Sequence, residues 1–410
     1  MVKLASQMRS GHQADKIKTV LSVYIHVPFC VRRCLYCDFI TYAGQQAWMP
    51  AYVEAAIKEV HWLGRSRAKT DEPAQTVYFG GGTPSLLSIE QVKALLTAVD
   101  LSFGLMENAE ITLEANPGTL TLDYLRELRA IGVNRLSLGV QSFSDAELAQ
   151  LGRIHTREEA LQSILWAKQA GFENLSLDLI FGLPKQSLKA WEYNLQQAIK
   201  IHPEHLSLYN LIVEDGTPLA EQIAKREIPA PDDDVAADMY ELTMDFLAEA
   251  GYEQYEISSW TSSPEFESRH NKAYWQMTPY LGVGAAAAGF AENARTLNTP
   301  SISEYVQRIS TQQSALPYPR SAANREYTEV DGFTLMQESM MLGLRLTREG
   351  VSNAAFRARY GQEISAAFPE EVHRLLAKGL VEWVDFPDGL HVRLTRRGKM
   401  LGNQAFMEFV

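Results

Sequence analysis

The amino-acid sequence predicts an α/β fold, in which a partial (β/α)6 barrel is followed by a smaller, mostly helical domain. Short β-branched segments alternate with longer helical patterns up to about residue 260, which favours a parallel sheet covered by helices. The polar motifs of this region each follow a predicted strand, and a barrel gathers its site from the ends of all its strands, whereas an open sheet uses one switch point. After residue 260 the alternation weakens, and the end of the chain has the pattern of helices and a hairpin.

Six short β-branched segments are predicted as the strands of the barrel: Leu21–Val27, Thr76–Phe79, Ile111–Ala115, Arg135–Val140, Leu175–Phe181 and His205–Ile212. Five longer segments are predicted as helices between them: Pro50–Leu63, Ile89–Val99, Leu122–Ile131, Arg157–Ala170 and Leu188–Ile201. Thr121 and Ser187 are expected to cap helix N-termini, because their hydroxyls can accept hydrogen bonds from the first turn. Gly132 and Gly171 are expected to end helices, since glycine adopts the left-handed conformation easily.

The composition predicts a soluble, cytoplasmic protein. The chain has 410 residues, of which 50 are acidic and 38 basic, giving a net charge of −12. Such a surface repels nucleic acid except at a local basic patch. No apolar stretch reaches the ~18 residues needed to cross a bilayer, and the N-terminal segment lacks the apolar middle of a signal peptide. Peripheral membrane association and the oligomeric state stay open.

The pattern along the chain predicts four segments. Residues 1–18 are polar and are expected to form a flexible arm, and residues 19–260 carry the barrel. Residues 261–325 are expected to connect the barrel to a C-terminal domain of residues 326–410. Within the connecting segment, the small-residue run Gly282–Gly289 can let two backbones approach closely.

The C-terminal domain is expected to contain a β-hairpin. Its strands are Leu380–Asp385 and Leu390–Thr395, joined by the turn Phe386-Pro387-Asp388-Gly389. With the helices before it, this layout resembles a winged-helix module, a fold that often binds DNA. The basic cluster Arg396-Arg397-Gly398-Lys399 is more typical of a solvated helix start on an acidic chain. We expect the module to cover a substrate site or to dock a partner.

All three cysteines of the chain lie within eight residues, at Cys30, Cys34 and Cys37. Three thiolates on one loop can hold an iron–sulfur cluster by three irons and leave the fourth iron open. A zinc site would need a fourth ligand, such as His26. The odd number of cysteines disfavours a structural disulfide, and unrelated core cysteines would rarely fall in one such short window.

Polar residues follow or interrupt the other predicted strands. The turn Gly80-Gly81-Gly82-Thr83-Pro84 offers close backbone approach and free N–H and C=O groups, although an ordinary tight turn has the same composition. Glu114 and Gln141 stand at the ends of the next two strands. Asp178 lies inside an apolar strand, where a carboxylate costs several kcal/mol without partners; we favour a functional role over a satisfied core carboxylate. Arg153 can neutralise a ligand carboxylate or be a solvated helix-end charge.

The spacing C-x3-C-x2-C resembles the signature of radical S-adenosylmethionine (SAM) proteins. In that superfamily the open iron binds the amino and carboxylate groups of SAM. The segments Tyr24–Cys30, Gly80–Pro84, Gly139–Phe143 and Asp178–Pro184 together resemble the oxygen-independent coproporphyrinogen III oxidase family. This likeness runs from about residue 20 to the C-terminus.

The resemblance implies two cofactors, a 4Fe–4S cluster and SAM. It implies that the cluster is held by the three cysteines. It also implies SAM contacts at the positions that match the family's motifs: Tyr24, Tyr36, Gly81, Gly82, Thr83, Glu114, Gln141, Arg153 and Asp178.

Two features indicate the branch of this family. The true oxidases have a fourth cysteine, in the pattern C-x3-C-x2-C-x-C, where this chain has Phe39. The hexapeptide His270-Asn271-Lys272-Ala273-Tyr274-Trp275 resembles the H-N-x-x-Y-W signature of HemW-type haem chaperones. A histidine such as His270 can ligate haem iron, and Tyr and Trp offer flat faces to a porphyrin. By itself the hexapeptide also fits a capped loop with a packed Tyr–Trp pair.

The resemblance therefore predicts a haem chaperone that passes haem to an acceptor protein, with the acceptor and the electron donor unspecified. The alternatives are an oxygen-independent coproporphyrinogen III oxidase, or another radical SAM enzyme such as a methyltransferase. The missing fourth cysteine argues against the oxidase and does not exclude other radical chemistry.

Overall fold

The computed structural model describes residues 20–68 and 73–410, so the arm predicted for residues 1–18 lies outside the described residues. The strands are β1 (Leu21–Val27), β2 (Phe29–Cys30), β3 (Tyr42–Ala43), β4 (Ala74–Gly81), β5 (Leu105–Ala115), β6 (Arg135–Gln141), β7 (Leu175–Phe181), β8 (His205–Asn210), β9 (Glu253–Glu256), β10 (Ser259–Thr261), β11 (Tyr280–Val283), β12 (Ala288–Ala291), β13 (Ala294–Asn298), β14 (Asn324–Glu329), β15 (Val351–Ser352), β16 (Val381–Phe386) and β17 (Gly389–Leu394).

The α-helices are α1 (Met49–Ser66), α2 (Ile89–Phe103), α3 (Leu122–Ala130), α4 (Asp145–Gln150), α5 (Arg157–Gln169), α6 (Leu188–Ile201), α7 (Pro218–Ala224), α8 (Asp233–Glu249), α9 (Arg269–Trp275), α10 (Ile302–Thr311), α11 (Gly332–Gly343), α12 (Asn353–Tyr360), α13 (Ile364–Ala367), α14 (Pro369–Ala377), α15 (Arg396–Met400) and α16 (Gly402–Phe406). Among these described helices, none is both long and apolar enough to cross a membrane.

The six predicted strands lie side by side in chain order as β1-β4-β5-β6-β7-β8, and each neighbouring pair is parallel. This is the strand order that a partial barrel requires, and it confirms the predicted α/β class. The sheet continues beyond both ends. Beside β8 it adds β10 and β9, and beside β1 it adds β11, β12, β13 and β14. Residues 261–325, expected to connect two domains, thus contribute three strands to the main sheet.

The predicted helix ends agree with the structure. The Thr121 side chain accepts a hydrogen bond from the Tyr124 N–H at 3.2 Å at the start of α3, and Ser187 caps α6 in the same way. Gly132 and Gly171 follow α3 and α5 with φ values of 104° and 85°. Because these values are left-handed, each glycine lets the chain turn back towards the next strand.

The two faces of the parallel strands differ in polarity. On β6 the residues Leu136, Leu138 and Val140 are buried in the apolar core that includes residues of the surrounding helices. The alternate residues carry polar or small side chains, and the same alternation occurs on the neighbouring strands. Because successive side chains point to opposite faces, these polar residues share the face turned away from the helices. We call it the inner face.

The C-terminal domain has its own core and a three-stranded antiparallel sheet in the order β15-β17-β16. The predicted hairpin is present, with Phe386 pairing with Gly389 at the turn. Of the basic cluster after the hairpin, Arg396 pairs with Asp245 and Glu241 of α8. These two exposed ion pairs connect the start of α15 to α8.

Candidate functional site

The three cysteines lie on one loop, residues 30–41, which follows β1 and which we call the cysteine loop. All three thiols are free, with Cys30 buried and the other two partly accessible. The Thr83 hydroxyl donates to Cys30 Sγ at 3.7 Å, and Arg153 Nη1 donates to Cys34 Sγ at 3.3 Å. The guanidinium predicted to neutralise a ligand carboxylate therefore lies against a thiol of the cysteine loop.

The segment between α4 and α5 forms hydrogen bonds with the cysteine loop. The Leu35 N–H donates to the Leu151 carbonyl at 3.1 Å, and Arg32 Nη2 donates to the Gly152 carbonyl at 2.8 Å. Tyr36 packs in the same small apolar cluster as Leu151, and its buried phenol interacts with Arg153. These contacts fix the loop at the carboxyl end of the strands.

The glycine turn after β4 fastens this loop. The Gly82 N–H donates to the Val27 carbonyl at 2.9 Å and the Thr83 N–H to the Phe29 carbonyl at 2.8 Å. A Cβ on Gly81 would lie 2.5 Å from the His26 ring, and one on Gly82 would lie 2.7 Å from the Phe29 carbonyl oxygen. The predicted close approach is thus present, and it joins β4 to β1 and the cysteine loop.

The chemistry of this loop fits an iron–sulfur cluster. Burial raises the pKa of the Cys30 and Cys37 thiols, so the thiolates need a cationic partner such as iron. Within residues 20–68 and 73–410, no three His, Cys, Asp or Glu side chains converge on a point suited to one metal ion. A four-iron cluster takes one thiolate per iron and does not need that convergence.

Four of the predicted SAM residues share the inner face of the sheet. Most residues of the parallel strands are fully buried, whereas Tyr24, Glu114, Gln141 and Asp178 are half-buried. They stand on β1, β5, β6 and β7 of this sheet. Gln141 has a φ of 66°, which is uncommon for a residue other than glycine and turns the chain sharply after β6.

The two carboxylates of the inner face have partners within the protein. Glu114 accepts from the Tyr78 hydroxyl at 2.8 Å and from the Gly81 N–H at 3.1 Å, while Asp178 accepts from the Ser137 hydroxyl at 3.0 Å. Burial raises the pKa of Glu114 to about 7 and the pKa of Asp178 to about 6. Both groups therefore titrate near neutral pH and can stabilise a bound cation.

Sequence reasoning missed three residues of this face. Tyr78 holds Glu114, and Tyr209 is 43% exposed at the end of β8. Arg135 is only 2% exposed, its Nε has no hydrogen-bond partner, and its charge lowers the pKa values of Glu114 and Asp178 against the effect of burial. The sequence signal for Arg135 was a charged residue at the start of a predicted strand. It lies in the same alternating set of polar positions as Ser137.

The hexapeptide forms α9, and its histidine is buried beneath the inner face. His270 is 1% exposed; its Nδ1 hydrogen-bonds with the Thr76 hydroxyl at 2.7 Å and its Nε2 with the Tyr274 hydroxyl at 2.8 Å. The backbone N–H of His270 donates to Glu110 Oε1 at 3.0 Å. Burial, aided by the charge of Arg135, lowers the pKa of His270 to about 3, so the imidazole is neutral. In this conformation both ring nitrogens are engaged by the protein.

Aromatic rings connect the inner face to α9. The ring of Tyr24 lies 6.2 Å from that of Tyr78, which stacks on His270 at 4.8 Å. The rings of His270 and Tyr274 are 5.0 Å apart, and Tyr274 meets Tyr280 edge-on at 4.6 Å. We call these five residues the ring array.

A cavity of about 640 Å³ is lined by three members of the ring array, Tyr24, Tyr274 and Tyr280. It lies where the cysteine loop, α9 and α11 of the C-terminal domain meet, and we call it the junction cavity. Its wall includes large apolar side chains from all three segments and from β11: Phe39, Ile40, Trp275, Met277, Tyr280 and Leu342. Cavities of this size and character hold small molecules and cofactors. Phe39, the residue in place of the oxidases' fourth cysteine, is 67% exposed.

Comparison with known proteins agrees with this architecture. Residues 24–198 match the Radical SAM superfamily, and residues 332–401 match the HemN C-terminal domain. The solved structure of coproporphyrinogen III oxidase (HemN) from Escherichia coli, a radical SAM enzyme, has a TM-score of 0.78 at 23% identity and covers 96% of this chain and 90% of that chain. The fold and the cysteine loop thus define a radical SAM protein.

Sequence relatives narrow this class to one family. The chain is 38% identical over 391 residues to the haem chaperone HemW of Bacillus subtilis, covering 95% of this chain and 99% of that protein. It is 40% identical over 275 residues to HemW of Escherichia coli, covering 66% and 70%. A mouse protein, radical S-adenosyl methionine domain-containing protein 1, mitochondrial, is 34% identical and covers 90% and 83%. The chain belongs to the HemW family of haem chaperones.

Proposed function

We propose that this protein binds haem as cargo in the junction cavity and transfers it to an acceptor protein. It carries a 4Fe–4S cluster on Cys30, Cys34 and Cys37, and it binds SAM at the inner face beside that cluster. The observation that carries the proposal is the position of the cavity, whose walls combine the hexapeptide with Phe39 of the cysteine loop. Family membership supports the same function.

The junction cavity suits a flat, largely apolar ligand. Trp275 and Tyr280 on one side and Phe39 on the other give aromatic and apolar surface, and burial of a porphyrin against such surface is favourable by roughly 25 cal/mol per Å². A cysteine in place of Phe39 would remove much of that wall. The departure from the oxidases therefore favours binding of a planar cargo here.

His270 is the proposed ligand of the haem iron, and Tyr274 controls its access. The Tyr274 phenol occupies Nε2 at 2.8 Å and itself lines the cavity. Movement of this phenol would open Nε2 towards the cargo. The low pKa of His270 keeps the imidazole unprotonated, as metal ligation requires.

The residues around the cysteine loop suit the two cofactors. When bound, a reduced cluster supplies the electron that can split SAM. Arg153 stabilises the charge at Cys34, and Thr83 supports Cys30. Glu114 and Asp178 provide negative charge for the amino or sulfonium group of SAM.

The decisive experiment is an anaerobic titration of the purified protein with haem. We expect a Soret band that saturates at about one haem per chain, because the cavity is sized for one cofactor. His270→Ala should shift or abolish this band, whereas His61→Ala, a histidine on α1 that bonds Ser102, should not. Tyr274→Phe should strengthen haem binding, since it frees Nε2 and keeps the ring.

Two outcomes would contradict the proposal. An unchanged Soret band in His270→Ala would exclude this ligand, and Met277→Leu would then test the thioether that also lines the cavity. Sustained conversion of coproporphyrinogen III to protoporphyrinogen in the presence of SAM and a reductant would restore the oxidase.

A further inference from the structure

The junction cavity contains one ion pair in an otherwise mainly apolar wall. Arg295, on β13 of the main sheet, donates through Nη2 to Glu338 Oε1 on α11 of the C-terminal domain. The Glu338 side chain is 11% exposed and the Arg295 side chain 53% exposed. The pair therefore joins the two parts of the molecule across the cavity, and its guanidinium is the more accessible partner.

A haem that enters this cavity brings two propionate groups with it. An ionised carboxylate taken out of water needs a charged partner, because its burial alone is costly. Among the described residues that line the cavity, the other charged side chain besides this pair is the carboxylate of Asp38, which would repel a propionate. Arg295 is therefore the cation available to such a ligand.

We infer that Arg295 is the propionate-recognition residue of the cavity and that a haem propionate replaces Glu338 on its guanidinium. The inference rests on the proposed haem function. Glu338 occupies Nη2 of this guanidinium, and a propionate that binds through the planar fork needs the same nitrogen, so cargo and α11 compete for it. Binding of haem then releases the ion pair between main sheet and C-terminal domain, and loss of haem restores it.

The test compares haem with haem dimethyl ester, in which both propionates are neutral, by anaerobic Soret titration of the full chain. Wild-type protein should bind haem at least about tenfold more tightly than the ester, because a charge-assisted hydrogen bond is lost. Arg295→Gln should weaken haem binding by a similar factor and leave ester binding little changed. Glu338→Gln should strengthen haem binding several-fold, since it removes the competing carboxylate.

Arg393→Gln is the matched control, because Arg393 pairs with Glu382 at 2.9 Å within the C-terminal hairpin, away from this cavity. It should leave both affinities unchanged. Equal affinity of the wild-type protein for haem and its ester would overturn the role of Arg295 and leave the haem proposal intact. Absence of a Soret band with either compound would overturn both. Since the ester comparison and Glu338→Gln keep Arg295, the result does not depend on the folding of one variant.

Discussion

The inner face and the junction cavity are neighbouring sites built in opposite ways. The inner face is polar, and its groups stand on neighbouring parallel strands, with Glu114 on β5, Gln141 on β6 and Asp178 on β7. The cavity is mainly apolar, and its walls come from the cysteine loop, α9 and α11, which are more than 200 residues apart at the extremes. Tyr24 belongs to both, since it stands on the inner face and lines the cavity.

The two proposed ligands place different requirements on their sites. A small charged cofactor needs a few fixed polar atoms, which one sheet can provide from strand ends. A large planar cargo needs area, which requires several elements to converge, and release of that cargo requires them to separate. The first site stands on one continuous sheet, and the second lies between the main core and the core of the C-terminal domain.

The largest expected effect is loss of the cluster. Changing Cys30, Cys34 or Cys37 to Ala should reduce bound iron and sulfide from about four each to near zero after anaerobic reconstitution, because each thiolate holds one iron. Iron and sulfide analysis with absorption spectra measures this. Val31→Ala on the same loop is the control and should retain the cluster.

The same cysteine variants also test the independence of the two sites. If cargo binding depends on the cavity alone, their Soret titrations should match the wild type. Full iron and sulfide in any single cysteine variant, or zinc filling the wild-type site, would contradict the cluster assignment.

The next effect concerns SAM. Asp178→Ala and Glu114→Ala should each weaken SAM binding by about tenfold or more, since each removes a charge-assisted contact worth roughly 1.5–3 kcal/mol. Equilibrium dialysis or calorimetry measures it, with iron content checked in parallel. Glu54→Gln, on the exposed side of α1 where Glu54 pairs with Lys58, is the control and should leave SAM binding unchanged. If both inner-face variants bound SAM with unchanged affinity, these carboxylates would serve only to stabilise the sheet.

The pH dependence of SAM binding follows from the raised pKa of Glu114. Below about pH 7 this group takes up a proton and loses the charge that attracts a cation, so SAM affinity should fall as the pH is lowered. Between pH 8 and pH 6 the change should approach about tenfold for one proton. Glu114→Gln should flatten this profile. A wild-type affinity that is constant over this range would contradict the role of Glu114.

The smallest expected effect is a change in the reduction potential of the cluster. Arg153→Gln removes a positive charge 3.3 Å from Cys34 Sγ, so the reduced, more negative cluster loses stabilisation and its reduction potential should become more negative. Redox titration followed by absorption measures this shift. Arg129→Gln, on α3, is the control, because Arg129 bonds the Gly171 carbonyl instead. An unchanged or higher reduction potential in Arg153→Gln would contradict the proposed effect of Arg153 on the cluster.

Local patterns were sufficient to predict the core of the fold. The six parallel strands and five connecting helices agree with prediction to within a few residues at most ends, because β-branched runs, caps and glycine stops are local signals. The strands β11, β12 and β13 were missed because they are only four or five residues long and, in β12, half alanine. Their pairing is decided by the sheet edge that β1 leaves open.

The two sites were predictable to different degrees, because local sequence signals indicate only the inner face. The inner-face residues follow strands directly, and parallel strands bring their ends together. The burial of His270 was not predictable, because its partners Thr76 and Glu110 are 194 and 160 residues away. Nor could the sequence indicate that Arg295 pairs with Glu338, since no local pattern joins β13 to α11.

The ring array has a thermodynamic consequence. Within this array, Tyr274 lines the cavity, and Tyr78 donates a hydrogen bond to Glu114 on the inner face. If haem displaced Tyr274, the change would reach Tyr78 through the ring of His270, and Tyr78 holds Glu114, the proposed SAM contact. Any factor by which haem changes the affinity for SAM must then equal the factor by which SAM changes the affinity for haem. The cofactor concentration would thus set how firmly the protein holds its cargo.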